Sequence, residues 1–202
     1  MTPRRTVARD ATKKTFAGLT VYPVGHSTRS QEELIALLWA HGVATLVDIR
    51  TVPRSRTNPQ FNRDELTRVM PKVGLGYLHL AELGGLRYGL GAASPNQGWR
   101  NKSFRGYADH MLTEEFASGL ERLRELCAMG PCAVMCAEAL RWRCHRSLLA
   151  DALWVRGATV LHLETEKRAV PHRLTPFAKV RGQRITYPED LRPTGNASHP
   201  ET

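Results

Sequence analysis

One pattern, which recurs three times along the chain, constrains the fold more than any other feature of the sequence. Each time, a helix with an apolar face ends at a glycine and a short apolar strand follows, at Gly42, Gly130 and Gly157. Helices that alternate with buried strands are typical of a mainly parallel sheet that helices cover on both faces. We therefore predict a single α/β domain with a Rossmann-like sheet of about five strands.

Short apolar runs mark the strands of this sheet. The predicted strands are residues 19–24, 43–49, 75–80, 132–136 and 158–163. Ser30 and Glu33 form a capping box and predict that a helix begins after the first strand. Residues 86–104 are rich in Gly, Pro, Asn and Ser, and a loop of this length is typical of a lid, a binding loop or a disordered segment.

The basic residues are concentrated near the two ends of the chain. Residues 1–19 hold five basic and one acidic side chains, and residues 167–192 hold seven and two, out of a net charge of +10. We predict a disordered basic arm over residues 1–18, a domain over 19–165 and a basic extension over 166–202. Such arms attract polyanions, so nucleic acid or a nucleotide is a predicted partner, although solubilising tails have the same composition.

Several features favour a cytoplasmic protein without a membrane partner. No apolar run approaches the roughly 18 residues that a membrane-spanning helix needs, and the N-terminal residues lack the apolar region of a secretory signal. The four cysteines all lie within residues 127–144, too few and too close together for a disulfide framework.

Polar and ionisable side chains follow the predicted strands. In an open parallel sheet, ligands bind beyond the carboxyl ends of the strands, so we predict a functional cleft there. The nine candidate residues are His26 and Ser27 after the first strand, Asp48 and Arg50 at the end of the second, and Cys136, Glu138, Cys144, His145 and Arg146 around the end of the fourth.

The predicted catalytic residues are Cys144, Glu138, His26 and Asp48. A helix N-terminus and basic neighbours lower the pKa of a thiol, which makes Cys144 the predicted nucleophile, although a buried structural cysteine fits the same pattern. Glu138 can act as general acid or base, or its carboxylate can hold Arg146. His26 is a proton carrier or part of a turn that caps a helix.

The predicted substrate-binding residues are Arg50, Ser27, His145, Arg146 and Cys136. Arginine side chains bind phosphate or carboxylate through forked donors, so a small anion such as phosphate is a predicted ligand. For Cys136, packing at the strand end is the alternative role.

The same cluster includes ligand types that zinc or iron prefer. However, the sequence has no C-x-x-C motif, no H-E-x-x-H motif and no deaminase signature, so no metal site is predicted. It also has no G-x-G-x-x-G motif after the first strand and no Walker loop, so no cofactor is predicted.

Four short motifs resemble those of one protein family. They are GHST at residues 25–28, VDIR at 47–50, LGG at 83–85 and C-A-E-x5-C-H-R at 136–146, with a similar tail from LTPF at 174–177 to ITYP at 185–188. Over about residues 20–165 the chain resembles the bacterial and archaeal proteins of domain of unknown function 488. The resemblance implies a compact α/β domain and carries no activity with it.

Two classes of function follow from the sequence. The first is an enzyme in which Cys144 or Glu138 performs covalent or acid–base chemistry on a nucleotide or a nucleic-acid-like substrate held by Arg50 and Arg146. The alternative is a nucleic-acid-binding or metal-binding module without catalysis.

Overall fold

The computed structural model of the protein describes residues 15–189, which form one mixed α/β domain. The strands of its main sheet are β1 (Thr20–Gly25), β2 (Thr45–Asp48), β3 (Gly76–His79), β4 (Cys132–Cys136), β5 (Thr159–Thr165) and β6 (Arg168–Pro171). The α-helices are α1 (Gln31–Ala40), α2 (Arg63–Val69), α3 (Lys102–His110), α4 (Glu114–Met129) and α5 (Arg146–Val155). The prediction of an α/β fold with a mainly parallel, helix-covered sheet is confirmed.

The sheet has the strand order β3-β2-β4-β1-β5-β6, and β4 is a central strand. All five residues of β4 are buried because the strand pairs in parallel with β1 and β2 and is covered on both faces. Val134 and Cys136 face the core under α3, α4 and α5, whereas Ala133 and Met135 face the core under α1 and α2. This alternation places the thiol of Cys136 on the same face of the sheet as α5.

The connections that leave β1 and β4 run in opposite directions. The connection through α1 leads from β1 across β4 to β2, and the connection through α5 leads from β4 across β1 to β5. The two helices lie on opposite faces of the sheet, as right-handed crossovers in opposite directions require. Gly25 and Cys136 are directly opposite each other at the carboxyl ends of β1 and β4.

The segment after residue 165 contributes more to the fold than the sequence predicted. Strand β6 pairs antiparallel with β5, so the sheet has six strands instead of about five. Beyond it, β7 (Lys179–Arg181) and β8 (Arg184–Thr186) form a hairpin, and Ile185 and Tyr187 are buried in the core. The sequence allowed a short strand over residues 184–187, which β8 confirms, but the basic residues and the proline of β6 give little periodicity, so only its tertiary pairing reveals it.

The remaining predictions concern loops, arms and membrane spans. The loop over residues 86–101 is held together by Asp109, whose carboxylate accepts hydrogen bonds from Leu90 N, Ser94 Oγ and Asn96 Nδ2 at 2.8, 2.5 and 2.8 Å. Most of the predicted N-terminal arm and residues 190–202 of the C-terminal extension lie outside the described residues. Within residues 15–189, none of the helices has the length and apolar character needed to cross a membrane.

The capping box at the start of α1 is confirmed and gives a stability prediction. Ser30 Oγ accepts from Glu33 N at 3.1 Å, and Glu33 Oε2 accepts from Ser30 N at 2.6 Å. We expect Ser30→Ala to lower the free energy of unfolding by about 1 kcal/mol, because the backbone N–H of Glu33 loses its acceptor. Urea denaturation measures this change. Ser30→Thr retains the acceptor oxygen and serves as control, and equal losses in both variants would contradict the capping role.

Candidate functional site

A cleft with a volume of about 510 Å³ opens at the carboxyl ends of β2 and β4. Of the nine predicted site residues, five line it: Arg50, Cys136, Glu138, Cys144 and His145. We call this cavity the cysteine cleft. The four others do not line it: Asp48, His26 and Arg146 are buried, and Ser27 is half-buried. The fold therefore brings most of the predicted cluster together, but it divides the residues between those that line the cleft and those behind it.

Arg146 lies behind Cys136 and is almost completely buried, with 2% of its surface exposed. Its Nη1 donates to Cys136 Sγ at 3.0 Å and to the backbone oxygen of Glu138 at 2.9 Å, and its Nη2 donates to Ala139 O at 3.2 Å. Gly25 makes this arrangement possible, because a Cβ atom at that position would lie 2.7 Å from Nη1 of Arg146. The guanidinium thus fixes the loop that follows β4 and brings a positive charge to the thiol of Cys136.

Cys136 and Cys144 form a hydrogen-bonded pair of free, buried cysteines. The hydrogen bond from Cys144, together with the charge of Arg146, lowers the pKa of Cys136 to about 7. The same hydrogen bond and burial raise the pKa of Cys144. The sequence predicted the lowered pKa for Cys144, on account of its position near a helix start. In the structure Cys136 has it, because Cys136 contacts both the thiol of Cys144 and the guanidinium of Arg146.

His145 adjoins the cysteine pair on the wall of the cleft. Its Nε2 lies 3.2 Å from Ile49 O, and since a carbonyl only accepts, Nε2 carries the proton. Nδ1 then has a free lone pair and lies 3.6 Å from Cys144 Sγ. Burial lowers the pKa of His145 to about 4, so the imidazole is neutral at pH 7 and presents an acceptor nitrogen beside the cysteine pair.

Asp48 and Arg50 form a buried ion pair at the end of β2. Asp48 is fully buried, and its carboxylate accepts from Nε of Arg50 at 2.9 Å and from Nη2 at 2.5 Å. The hydroxyl of Tyr77 donates to the same carboxylate at 2.9 Å. Asp48 was predicted as a catalytic residue, but the structure surrounds its carboxylate with these donors and leaves it behind Arg50. Arg50 itself reaches the cleft.

His26 lies against Arg50 and is also behind the cleft wall. Nδ1 of His26 donates to Ser27 O at 3.0 Å, and Nε2 lies 3.4 Å from Nη1 of Arg50. The ring stacks on Phe61 with 4.2 Å between centroids. Burial lowers the pKa of His26 to about 4. Ser27 has a left-handed backbone with φ of 49°, and its N–H donates to Ala137 O at 3.0 Å, so it joins the turns after β1 and β4.

Glu138 is the acidic residue of the cleft lining, and its side chain is exposed to solvent. Its Oε1 accepts from Leu140 N at 3.1 Å. The sequence allowed two roles for this side chain, and one of them was to hold Arg146. In the structure the backbone oxygen of Glu138 makes that contact, which leaves the carboxylate at the solvent-exposed mouth of the cleft.

Sequence reasoning missed several residues of the cleft lining. Val52, Leu86 and Phe104 give the cleft apolar surface, and Ser103 contributes a hydroxyl. Leu86 comes from the long loop and Ser103 and Phe104 from α3, and no strand end pointed to them. Two basic residues also line the cleft: Arg54, from the loop after β2, and Arg143, just before Cys144. Arg54 belongs to the arginines around Pro53 that the sequence suggested as a phosphate or carboxylate site, and Arg143 is one of the basic neighbours of Cys144.

The metal-binding alternative requires several donor side chains that lie close together. Within residues 15–189, no group of three or more His, Cys, Asp or Glu side chains is arranged to hold a metal ion.

The buried neutral histidines predict how stability depends on pH. The pKa of His26 and of His145 is about 4 in the folded protein, and an unfolded histidine titrates near 6.5. Below pH 6.5 the unfolded chain therefore binds protons that the folded protein does not, and stability falls as the pH decreases towards 4. Between pH 7 and pH 5 we expect a loss of about 2 kcal/mol per histidine. Urea denaturation at both pH values measures the loss.

A variant assigns this pH dependence to one side chain. His26→Gln should reduce the difference in the free energy of unfolding between pH 7 and pH 5 by the contribution of one histidine, about 2 kcal/mol. Circular dichroism at pH 7 checks that the variant folds. A pH dependence identical to that of the wild-type protein would show that His26 is not the group that titrates.

Comparison with known proteins gives one match. A family model described as domain of unknown function DUF488 matches residues 30–153, which include Cys136, Glu138 and the Cys144–Arg146 motif. No curated protein and no solved structure matches the chain. The family match covers more than half of the 202 residues and confirms the resemblance found in the sequence motifs. The chain belongs to the DUF488 family.

Proposed function

We propose that the protein is an enzyme that attacks an anionic, nucleotide-like or nucleic-acid-like substrate with the thiolate of Cys136 in the cysteine cleft. The contact between Cys136 Sγ and Nη1 of Arg146, at 3.0 Å, carries this proposal. A buried guanidinium needs a nearby negative charge. Among residues 15–189 no carboxylate forms an ion pair with Arg146, and its other acceptors are neutral carbonyl groups. A thiolate at Cys136 supplies the missing charge.

The neighbouring side chains support a thiolate that is ready to react at neutral pH. Cys144 donates a hydrogen bond to Cys136, and His145 lies next to Cys144 with its unprotonated Nδ1. The hydrogen bond from Cys144 and the charge of Arg146 lower the pKa of Cys136, which favours the thiolate near neutral pH. The sequence-based alternative, with Cys144 as nucleophile, stays a prediction, and the experiment below separates the two.

The reaction can be written in two steps. In the first, Sγ of Cys136 forms a bond to an electrophilic atom of the substrate, and the leaving group departs with the electron pair of the broken bond and takes a proton that Glu138 relays from solvent. In the second, water attacks the covalent intermediate, its proton passes through the carboxylate of Glu138 to solvent, and Cys136 leaves as a thiolate. The net reaction is hydrolysis, and the enzyme returns to its starting state.

The charge around the cleft favours a polyanionic substrate. Arg50, Arg54 and Arg143 line the cleft, against one acidic side chain, Glu138. The volume of 510 Å³ lies within the range that small-molecule sites occupy. A second cavity of about 700 Å³ shares Arg54 with the cleft and adds further arginines, Arg56 and Arg63. This row of basic residues extends the charged surface beyond the size of one nucleotide, so we favour a nucleic-acid-like chain as substrate.

The same row of arginines favours the second candidate function, a nucleic-acid-binding module without catalysis. This function makes no use of a thiolate. Incubation with a single-stranded oligonucleotide followed by mass spectrometry separates the two functions. The enzyme hypothesis predicts a covalent adduct on Cys136 or a cleaved product, both absent in Cys136→Ser, whereas unchanged oligonucleotide that binds equally well to both proteins would support the binding module.

The reactivity of the cysteine pair gives the next prediction. Alkylation of the wild-type protein by iodoacetamide, followed by peptide mapping, should label Cys136 first, with a midpoint in the pH–rate profile near 7 because that is the pKa of Cys136. Cys144→Ala removes the hydrogen-bond donor, so we expect the midpoint to rise by about one pH unit.

Cys127→Ala is the matched control, because Cys127 hydrogen-bonds to Cys132 at the other end of β4. It should leave the profile of Cys136 unchanged. Preferential labelling of Cys144, or a midpoint near that of a free thiol, would contradict the assignment of the nucleophile to Cys136.

The charged lining of the cleft gives a binding prediction. Arg54→Glu should weaken binding of a single-stranded oligonucleotide by about tenfold or more at low salt, because it replaces an attractive charge with a repulsive one. Arg181→Glu, on β7, makes the same charge change outside the cysteine cleft. Fluorescence anisotropy measures both affinities. Equal weakening by the two substitutions would show that net charge, and not the cleft, determines binding.

A further inference from the structure

Another, smaller cavity lies on the other side of Arg146 from the cysteine cleft. It has a volume of about 230 Å³ and is found at the carboxyl ends of β1 and β5. Arg29, Arg141, Arg146, His162 and Glu164 are part of its lining. We call it the arginine cavity. Neither the proposed reaction nor the residues that line the cysteine cleft account for it; Arg146 lines this cavity and contacts Cys136 of the cleft.

The arginine cavity carries an excess of positive charge. Nη1 of Arg29 donates to Gly25 O at 2.5 Å and Nη2 to Glu164 O at 3.1 Å, so the partners of this guanidinium are neutral carbonyl groups. Arg141 forms an ion pair with the carboxylate of Glu164 at 3.1 Å. Three guanidinium groups therefore face one carboxylate in the lining, and the balance stays positive even when Cys136 is a thiolate. An anion is the ligand that this balance favours.

Two buried nitrogen atoms of the cavity residues lack a hydrogen-bond partner in the part of the chain that the structure describes. They are Nε of Arg146 and Nδ1 of His162. The two residues are 2% and 4% exposed, and both line the arginine cavity. Buried polar atoms in proteins nearly always have a partner, so two exceptions in the lining of one cavity indicate a ligand that contacts both.

A chain of hydrogen bonds shows which of these two nitrogen atoms is a donor and which is an acceptor. Nε2 of His172 lies 2.8 Å from the carboxylate of Asp151 and donates to it. With His172 assigned as the neutral tautomer, its Nδ1 is an acceptor, and Nε2 of His162, 3.0 Å away, donates to it. Nδ1 of His162 is then an acceptor, whereas Nε–H of Arg146 is a donor. A ligand that satisfies both atoms has an acceptor oxygen and a hydroxyl group.

We propose that the arginine cavity binds hydrogen phosphate, either as the free ion or as a terminal phosphate monoester. One phosphate oxygen accepts from Nε of Arg146, a P–OH group donates to Nδ1 of His162, and Arg29 and Arg141 balance the negative charge. Sulfate has a similar shape and charge but no proton at neutral pH, so it cannot donate to His162. The site requires no reaction at Cys136 and is therefore independent of the proposed activity.

Isothermal titration calorimetry of the full chain with inorganic phosphate and with sulfate tests this site. We expect phosphate to bind about tenfold more tightly than sulfate, because only phosphate satisfies the acceptor at His162. Arg141→Gln and His162→Phe should each weaken phosphate binding. Arg168→Gln is the matched control, because Arg168 pairs with Glu164 at 3.2 Å without lining the cavity. A parallel titration with glycerol phosphate distinguishes the monoester from the free ion.

The outcomes separate this site from the cysteine cleft. Phosphate bound by the arginines of the cleft would be lost in Arg54→Glu and retained in Arg141→Gln. That result would overturn the arginine cavity as the phosphate site and leave the proposed function intact. Equal affinity for phosphate and sulfate, or no binding of phosphate, would also overturn the proposal. Arg141 is half-exposed, so its substitution tests the site even if His162→Phe does not fold.

Discussion

The candidate site depends above all on the buried guanidinium of Arg146. This group joins the carbonyl oxygens of the loop after β4 to Sγ of Cys136, and it has room to do so because position 25 is a glycine. A positive charge in such a position is costly unless an anion lies close to it. The same charge that orders the loop therefore favours the thiolate of Cys136, and structural and chemical roles converge on one side chain.

The Asp48–Arg50 pair has a comparable role on the β2 side of the cleft. The carboxylate of Asp48 holds Nε and Nη2 of Arg50, and Nη2 also donates to Phe61 O at 2.5 Å. Arg50 is thereby fixed in one orientation, with neutral His26 against its Nη1. A fixed arginine binds an anion at a lower entropic cost than a mobile one. The buried polar residues behind the cleft thus support the residues that face it.

Much of the fold follows from local patterns, and much of the site follows from the fold. The apolar runs, the capping box at Ser30 and the glycine stops were enough to predict the five parallel strands, because buried strands and helix ends depend on short-range chemistry. Strand β6 escaped prediction since its pairing with β5 is set by tertiary contacts. Grouping residues by strand end placed five of the nine candidates on the cleft wall, and the rest lie behind the wall or in the turn after β1.

The sequence by itself determined that this is an α/β protein with a Cys, Glu, His and Arg cluster at the carboxyl ends of its strands, because the order of helices and strands prescribes that edge. Only the tertiary structure decided which thiol has the lower pKa. The helix start near Cys144 favoured that residue, but the pKa of a thiol depends on its direct contacts, and Cys136 contacts both the thiol of Cys144 and the guanidinium of Arg146. The contact between Arg146 and Cys136 joins residues ten positions apart. The spacing of the two residues in the sequence does not show that the side chain of Arg146 points back towards the end of β4.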